Sequence, residues 1–169
     1  MHWRRGVTIQ LLSAGDFDEI LEVINLAAAA YDGVIPPDRW QSPYMSAGYL
    51  TNEITDGVRF YGAVDDGRIE GVMGIQDRGE VMLVRHAYTR PEAQRRGIGS
   101  RLIRHIFDRC SKPLLVGTWA AATWAVRFYE RHGFTLVTEA ATVRLLETYW
   151  SIPARQIETS VVLVRDGAA

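Results

Sequence analysis

The stretch from Val84 to Leu102 constrains this chain more than any other. It runs through β-branched and aromatic residues, meets Pro91, and then reads Gln94-Arg95-Arg96-Gly97-Ile98-Gly99-Ser100. Apolar residues then recur at helical spacing, at Ile98, Leu102, Ile103 and Ile106. The pattern predicts a strand, a proline-bearing turn and a helix that begins on glycine. Glycines at a helix start let the backbone approach a ligand closely. The first amides of such a helix have no intrahelical acceptors, and the helix dipole adds positive charge at that end. Arg95, Arg96 and Arg101 add more, so the segment is suited to a phosphate or pyrophosphate.

The remaining pattern fixes the order of elements around it. Val7–Leu12 reads as a first strand, and Ser13 to Asp16 as a capping box. Phe17, Ile20, Leu21 and Ile24 then follow at helical spacing, ending near Tyr31-Asp32-Gly33. Pro36, Pro37 and Pro43 make the next stretch a loop, and a second helix is expected over Ala47–Thr55. Strands are expected over Phe60–Asp65, Arg68–Gln76 and Val81–Thr89, the first two joined by Asp66-Gly67, a hairpin turn signal. After the glycine-started helix come a strand over Leu114–Thr118, a helix around Trp124, Phe128 and Tyr129 closed by Gly133, and strands over Phe134–Thr138 and Ser160–Val164. The fold class is mixed α/β: an antiparallel meander, then strand-helix-strand-helix-strand.

Composition bounds the function. A chain of 169 residues suits a single domain over 1–169, and with 47% apolar residues it can bury a sizeable core. A net charge of -1 offers no global field for nucleic acid or an anionic membrane. The single cysteine, Cys110, excludes an internal disulfide and a cysteine-based zinc site, and no metal is expected. The start is basic but lacks an apolar run of signal length, and the apolar run Leu26 to Ala30 is too short to span a membrane, so a cytoplasmic location is expected.

Three phosphate-binding patterns compete for residues 94–100. A Walker loop needs Gly-Lys-Ser/Thr, which is missing. A dinucleotide fingerprint needs a third glycine where Leu102 stands. The third pattern, Gln/Arg-x-x-Gly-x-Gly/Ala after a long strand, with Pro91 six residues before Gly97, resembles the coenzyme A loop of the GCN5-related N-acetyltransferase (GNAT) family. Ala125-Val126-Arg127-Phe128-Tyr129-Glu130-Arg131-His132-Gly133-Phe134 is similar to the family's Ala-x-x-Phe-Tyr-x-x-x-Gly-Phe segment. The resemblance covers roughly residues 60–138 and is weaker in the first helices.

The resemblance implies acetyl-CoA as acyl donor and a primary amine of a small molecule as acceptor. It also implies a GNAT fold in which a central strand pair splays apart around the pantetheine arm. Ala87, Tyr88 and Thr89 would meet the pantetheine, and an amide near Ala87 would polarise the thioester carbonyl. Gln94, Arg95, Arg96, Gly97, Ile98, Gly99 and Ser100 would wrap the pyrophosphate. Tyr129 stands where the family often places its general acid. Many relatives carry Asn at the position of Ala122, so Thr123 is expected to supply that contact.

The base is marked less clearly. His86 has a suitable intrinsic pKa, but strand alternation would turn it to the far face unless a bulge intervenes. Glu80 reads as a solvated strand-end residue. Arg85 could grip a substrate carboxylate or serve a structural ion pair. Trp40, Tyr44, Tyr149 and Trp150 are candidates to cover the acceptor, and Thr142–Gln156 is a long insertion suited to a cover or a dimer contact. A homodimer through the final strand is compatible with the pattern. Two alternatives stand beside acyl transfer: a non-catalytic acyl-CoA-binding module on the same fold, and a nucleic-acid domain using Arg85, Arg95, Arg96, Arg101 and Arg104. The latter lacks both an aromatic platform and a positive balance.

Overall fold

A computed structural model describes residues 6–167. The strands are β1 (Thr8–Leu11), β2 (Arg59–Asp65), β3 (Arg68–Asp77), β4 (Met82–Thr89), β5 (Leu114–Trp119), β6 (Thr135–Leu136) and β7 (Ser160–Arg165). The helices are α1 (Phe17–Ala28), α2 (Ala47–Thr55), α3 (Ile98–Phe107), α4 (Thr123–Arg131), α5 (Glu139–Tyr149) and α6 (Ala154–Glu158). The strands hydrogen-bond in the order β1-β2-β3-β4-β5-β7-β6, a mixed α/β sheet. The described residues group into two compact units, one of residues 6–29, 42–76 and 85–109, the other of residues 30–41, 77–84 and 110–167.

In the first unit β1 and β2 pair antiparallel, as do β2 and β3. The β2–β3 turn is Asp66-Gly67, with φ of 49° and 78°. Positive φ at both residues is what a tight hairpin turn requires. The Ser13–Asp16 capping box forms as the sequence predicts, with the Ser13 amide donating to the Asp16 carboxylate at 2.7 Å. Apolar residues of α1 and α2 pack on β2 and β3 in a core that includes Ile20, Val23, Ile24, Leu50, Phe60 and Val72. Helix α3 buries Ile98, Leu102, Ile103 and Ile106. A buried residue of this size contributes about 1.5–3 kcal/mol. That outweighs the roughly 1 kcal/mol that Gly99 costs the helix relative to alanine.

In the second unit β4 runs parallel to β5 through three pairs, Met82↔Leu114 to Val84↔Val116. Strand β5 pairs antiparallel with β7 along its whole length, and β6 pairs with β7 through two residues. The strand expected over Phe134–Thr138 is therefore shorter, because Thr138 leaves it to cap α5, its hydroxyl accepting from the Ala141 amide at 3.2 Å. The expected insertion Thr142–Gln156 contains most of α5 and the start of α6. Tyr149 and Trp150 pack with Leu145 against Val81, Leu83 and Leu115. These aromatics anchor α5 to its own unit.

Two glycines of β3 set how closely its neighbours approach. A Cβ on Gly71 would lie 2.6 Å from a methyl of Ile98, and one on Gly74 would lie 2.8 Å from the Arg85 carbonyl. The second contact is with backbone and cannot relax by a rotamer change. Gly74→Ala should therefore cost about 1–3 kcal/mol, the usual range for overpacking. A urea midpoint equal to that of the native chain would show that β4 yields freely at this position.

Candidate active site

The approach to the loop is fixed by a buried arginine. Arg90, 2% exposed, donates through Nε to the Ile69 carbonyl at 2.6 Å and through a terminal nitrogen to Glu22 at 2.9 Å. Glu19 stands 3.5 Å from the same nitrogen and accepts the Ile69 amide at 2.7 Å. The Arg90 amide bonds to the Glu70 carbonyl, and its own carbonyl accepts the Ala93 amide. A buried cation with its carboxylates in place resists displacement, because removing either side strands a charge. Residues 91–94 thus leave β4 from a fixed point.

The loop then takes an irregular path. Arg95 and Gly97 have φ of 64° and 74°, both left-handed. Gly97 is the N-cap of α3, and the Arg101 amide donates to its carbonyl at 3.0 Å. The amides of Ile98, Gly99 and Ser100 therefore precede the helical ladder. A Cβ on Gly97 would meet nothing within 4 Å. The space over the turn is open, and the donors around it suit an anion. Arg96 pairs with Asp65 at 2.9 Å at an exposed site, and Arg101 reaches the Val7 carbonyl.

Upstream, β4 breaks its pleat at His86, whose φ is 53°. Left-handed backbone at a non-glycine residue is uncommon and costs on the order of 1 kcal/mol or more. The surroundings hold it there. His86 Nε2 lies 2.7 Å from Glu53 Oε2, and an Arg85 nitrogen lies 2.8 Å from the same oxygen. Another Arg85 nitrogen donates to Gln76 Oε1 at 2.9 Å, and Gln76 Nε2 donates to the carbonyl and carboxylate of Asp56. The His86 ring stacks on Phe60 and meets Tyr49 edge-on. Arg85, read from sequence as a receptor for a substrate carboxylate or a member of an ion pair, faces the protein's own carboxylate at Glu53.

Burial pushes the His86 pKa down, against the upward pull of the Glu53 hydrogen bond, and Arg85 adds to the fall. Burial alone would raise Glu53, but the His86 hydrogen bond and the Arg85 charge outweigh it, so its pKa falls. The pair is thus a neutral imidazole beside a carboxylate. Tyr49 is raised, first by burial and then by Glu53.

Tyr44 sits beside Tyr88, ring centroids 6.4 Å apart. Its segment is tied to α1 by Asn25, whose side chain both donates to and accepts from the Met45 backbone. In the second unit Trp40 follows a turn anchored by the Asp38–Arg155 ion pair at 3.0 Å. Tyr129, 5% exposed, lies on α4 between Phe128 and Phe134, with ring centroids 5.1 and 5.3 Å away. Burial, with a smaller contribution from Tyr31, raises its pKa far above that of a free phenol. Ala122 and Thr123 form the start of α4. Sequence reasoning did not single out Glu53 or the Arg90 cluster. Glu53 reads as a solvated helix residue, and only the spacing of Glu19 and Glu22 on one helix face hints at a shared partner.

Residues 56–136 match the sequence model of the acetyltransferase (GNAT) domain. Over that stretch the chain resembles a GNAT acetyltransferase domain. No curated protein matches it by sequence. Among solved structures, PaiA N-acetyltransferase from Thermoplasma acidophilum, in complex with coenzyme A, is 17% identical, with 95% of this chain and 99% of that one covered and a TM-score of 0.71. The ribosomal-protein-S18-alanine N-acetyltransferase from Escherichia coli is 16% identical, with 96% of each chain covered and a TM-score of 0.69. A GNAT family acetyltransferase from Elizabethkingia anophelis with acetyl-CoA bound is 19% identical, with 96% and 99% covered and a TM-score of 0.63. Likeness at these identities shows a shared GNAT fold. Among the described residues no cluster of histidine, cysteine and carboxylates could hold a metal, and no helix is long and apolar enough to cross a membrane.

Because His86 is neutral when folded, acid should destabilise the protein. Between its lowered folded pKa and its ordinary value of about 6.5, only the unfolded chain binds the proton, so stability falls as pH drops through that window. His86→Gln should flatten this part of the curve. Urea midpoints that fall equally in both proteins from neutral pH into that window would refute the assignment.

Proposed function

We propose that this GNAT domain moves an acetyl group from acetyl-CoA to a primary amine of a small molecule by direct attack. The observation that carries the reading is the loop from Gln94 to Ser100. Its two left-handed residues, the open space at Gly97 and the amides that start α3 suit a pyrophosphate. Arg95, Arg96 and Arg101 add positive charge to this segment of the chain. Arg96 is held by an exposed ion pair, worth at most about 1 kcal/mol, so it can turn to a phosphate.

When bound, acetyl-CoA supplies an acetyl carbon activated by its thioester. Backbone groups of Ala87, Tyr88 and Thr89 take the pantetheine amides in this reading, and the Ala87 amide stabilises the developing oxyanion. His86 accepts a proton from the acceptor ammonium, which frees the nitrogen lone pair for attack. As the carbon–sulfur bond breaks, the Tyr129 hydroxyl delivers a proton to the departing sulfur. Its raised pKa keeps the phenol protonated until that step, and its packing between Phe128 and Phe134 fixes the ring. Thr123 contributes a cofactor contact at the start of α4. Tyr44, beside Tyr88, lines the acceptor side in this reading.

Thiol release from acetyl-CoA, stimulated by members of a panel of primary amines, tests the activity. Coenzyme A binding without amine-stimulated release would instead support a non-catalytic acyl-CoA module. Gly97→Asp should abolish coenzyme A binding by filling the open turn and adding negative charge, and unchanged affinity in calorimetry would remove the loop from the site. Tyr129→Phe should lower turnover about a hundredfold, at the low end of acid catalysis, while leaving cofactor affinity near normal. Near-normal turnover would reduce Tyr129 to packing.

A further inference from the structure

Regular alternation would send Arg85 and His86 to opposite faces of β4. Instead both side chains end on one oxygen of Glu53, at 2.8 and 2.7 Å. The left-handed backbone at His86 makes this convergence possible, and Gly74 leaves room for the Arg85 carbonyl beside it. The side chains of all three residues are 11–12% exposed, so their charges act with little screening by solvent.

The charges balance in one particular way. Arg85 is a permanent cation beside the carboxylate. An imidazolium at His86 would be a second cation on the same oxygen, facing Arg85. A neutral imidazole that donates its Nε2 proton to Glu53 satisfies the carboxylate without a surplus charge. In that tautomer Nδ1 carries the lone pair. The groups around His86 are Glu53 and Tyr49 from α2, Arg85 from β4 and Phe60 from β2, with Asp56 and Tyr44 one step further out.

We infer that Glu53 is a positioning residue for the acetyl transfer, holding His86 as the Nε2–H tautomer with Nδ1 as the proton acceptor. The inference rests on the reading of His86 as the base. Arg85 limits the effect of Glu53. It keeps the carboxylate ionised and stops the imidazole from becoming a permanent cation, so His86 can take up a proton and release it. A carboxylate that orients an imidazole without taking its proton is an established catalytic device.

The tautomer can be read without turnover. The chain has four histidines, so nitrogen-15 histidine spectra of the full-length protein can be assigned with His86→Gln. The expected spectrum near neutral pH shows His86 protonated at Nε2 and unprotonated at Nδ1. Protonation at Nδ1, or at both nitrogens, would overturn the inference, and this measurement needs no Glu53 variant to fold. Glu53→Gln keeps the shape and removes the charge. It should lower the His86 pKa by about one unit, roughly tenfold in proton affinity. The acid limb of amine-stimulated thiol release should move to lower pH by the same amount, with the KM for acetyl-CoA unchanged. An unmoved limb with a native-like spectrum would sink the role of Glu53. If His86→Gln keeps the acid limb, the base reading fails, and the spectra still decide what Glu53 does to the ring.

Discussion

Strand β4 cannot stay regular through its centre, and much of the first unit follows from that. His86 holds a left-handed backbone that a non-glycine residue adopts only when its surroundings require it. Phe60 under the ring, Glu53 on Nε2 and the missing Cβ of Gly74 supply the requirement. The result is a closed polar circuit. Glu53 and Asp56, at and just past the end of α2, reach Arg85 and Gln76, which also bond to each other. Helix α2 is fastened to β3 and β4 by hydrogen bonds among groups that are largely out of water, where such bonds are strongest and most costly to leave half made.

The turn before α3 depends on a second fixed point. Arg90 directly follows β4 as a buried cation held by Glu19, Glu22 and a main-chain carbonyl. From there the chain has few residues in which to turn and start α3, and it does so through Arg95 and Gly97 in left-handed conformations. The apolar face of α3, seated on the space that Gly71 leaves for Ile98, keeps the helix end where the turn needs it. The turn thus presents main-chain groups from a fixed base.

Much of this was legible in the sequence. Asp66-Gly67 predicted a hairpin, the Ser13–Asp16 capping box formed, and α2 spans the predicted residues. These signals are local: each depends on a few residues whose chemistry favours one backbone shape. The second half was less clear. From Phe134 on, the sequence predicts a longer strand and an insertion, whereas the structure has a two-residue strand and two helices before β7. Helix α5 has only a modest apolar face, and what decides it is burial of Leu146 together with packing of Leu145 and Trp150 on Val81, Leu83 and Leu115, contacts remote in sequence.

By itself the sequence determined the mixed α/β class, the glycine-started helix with its anion-suited turn, and the resemblance that the match over residues 56–136 bears out. Those features follow from short-range rules of glycine, proline, capping and hydrophobic period. Only the tertiary structure decided the company His86 and Arg85 keep. Their shared carboxylate comes from a helix more than thirty residues earlier, and the direction of the imidazole turns on a single backbone dihedral in β4. No periodicity encodes such a break, because a left-handed residue within a strand is imposed by what packs around it.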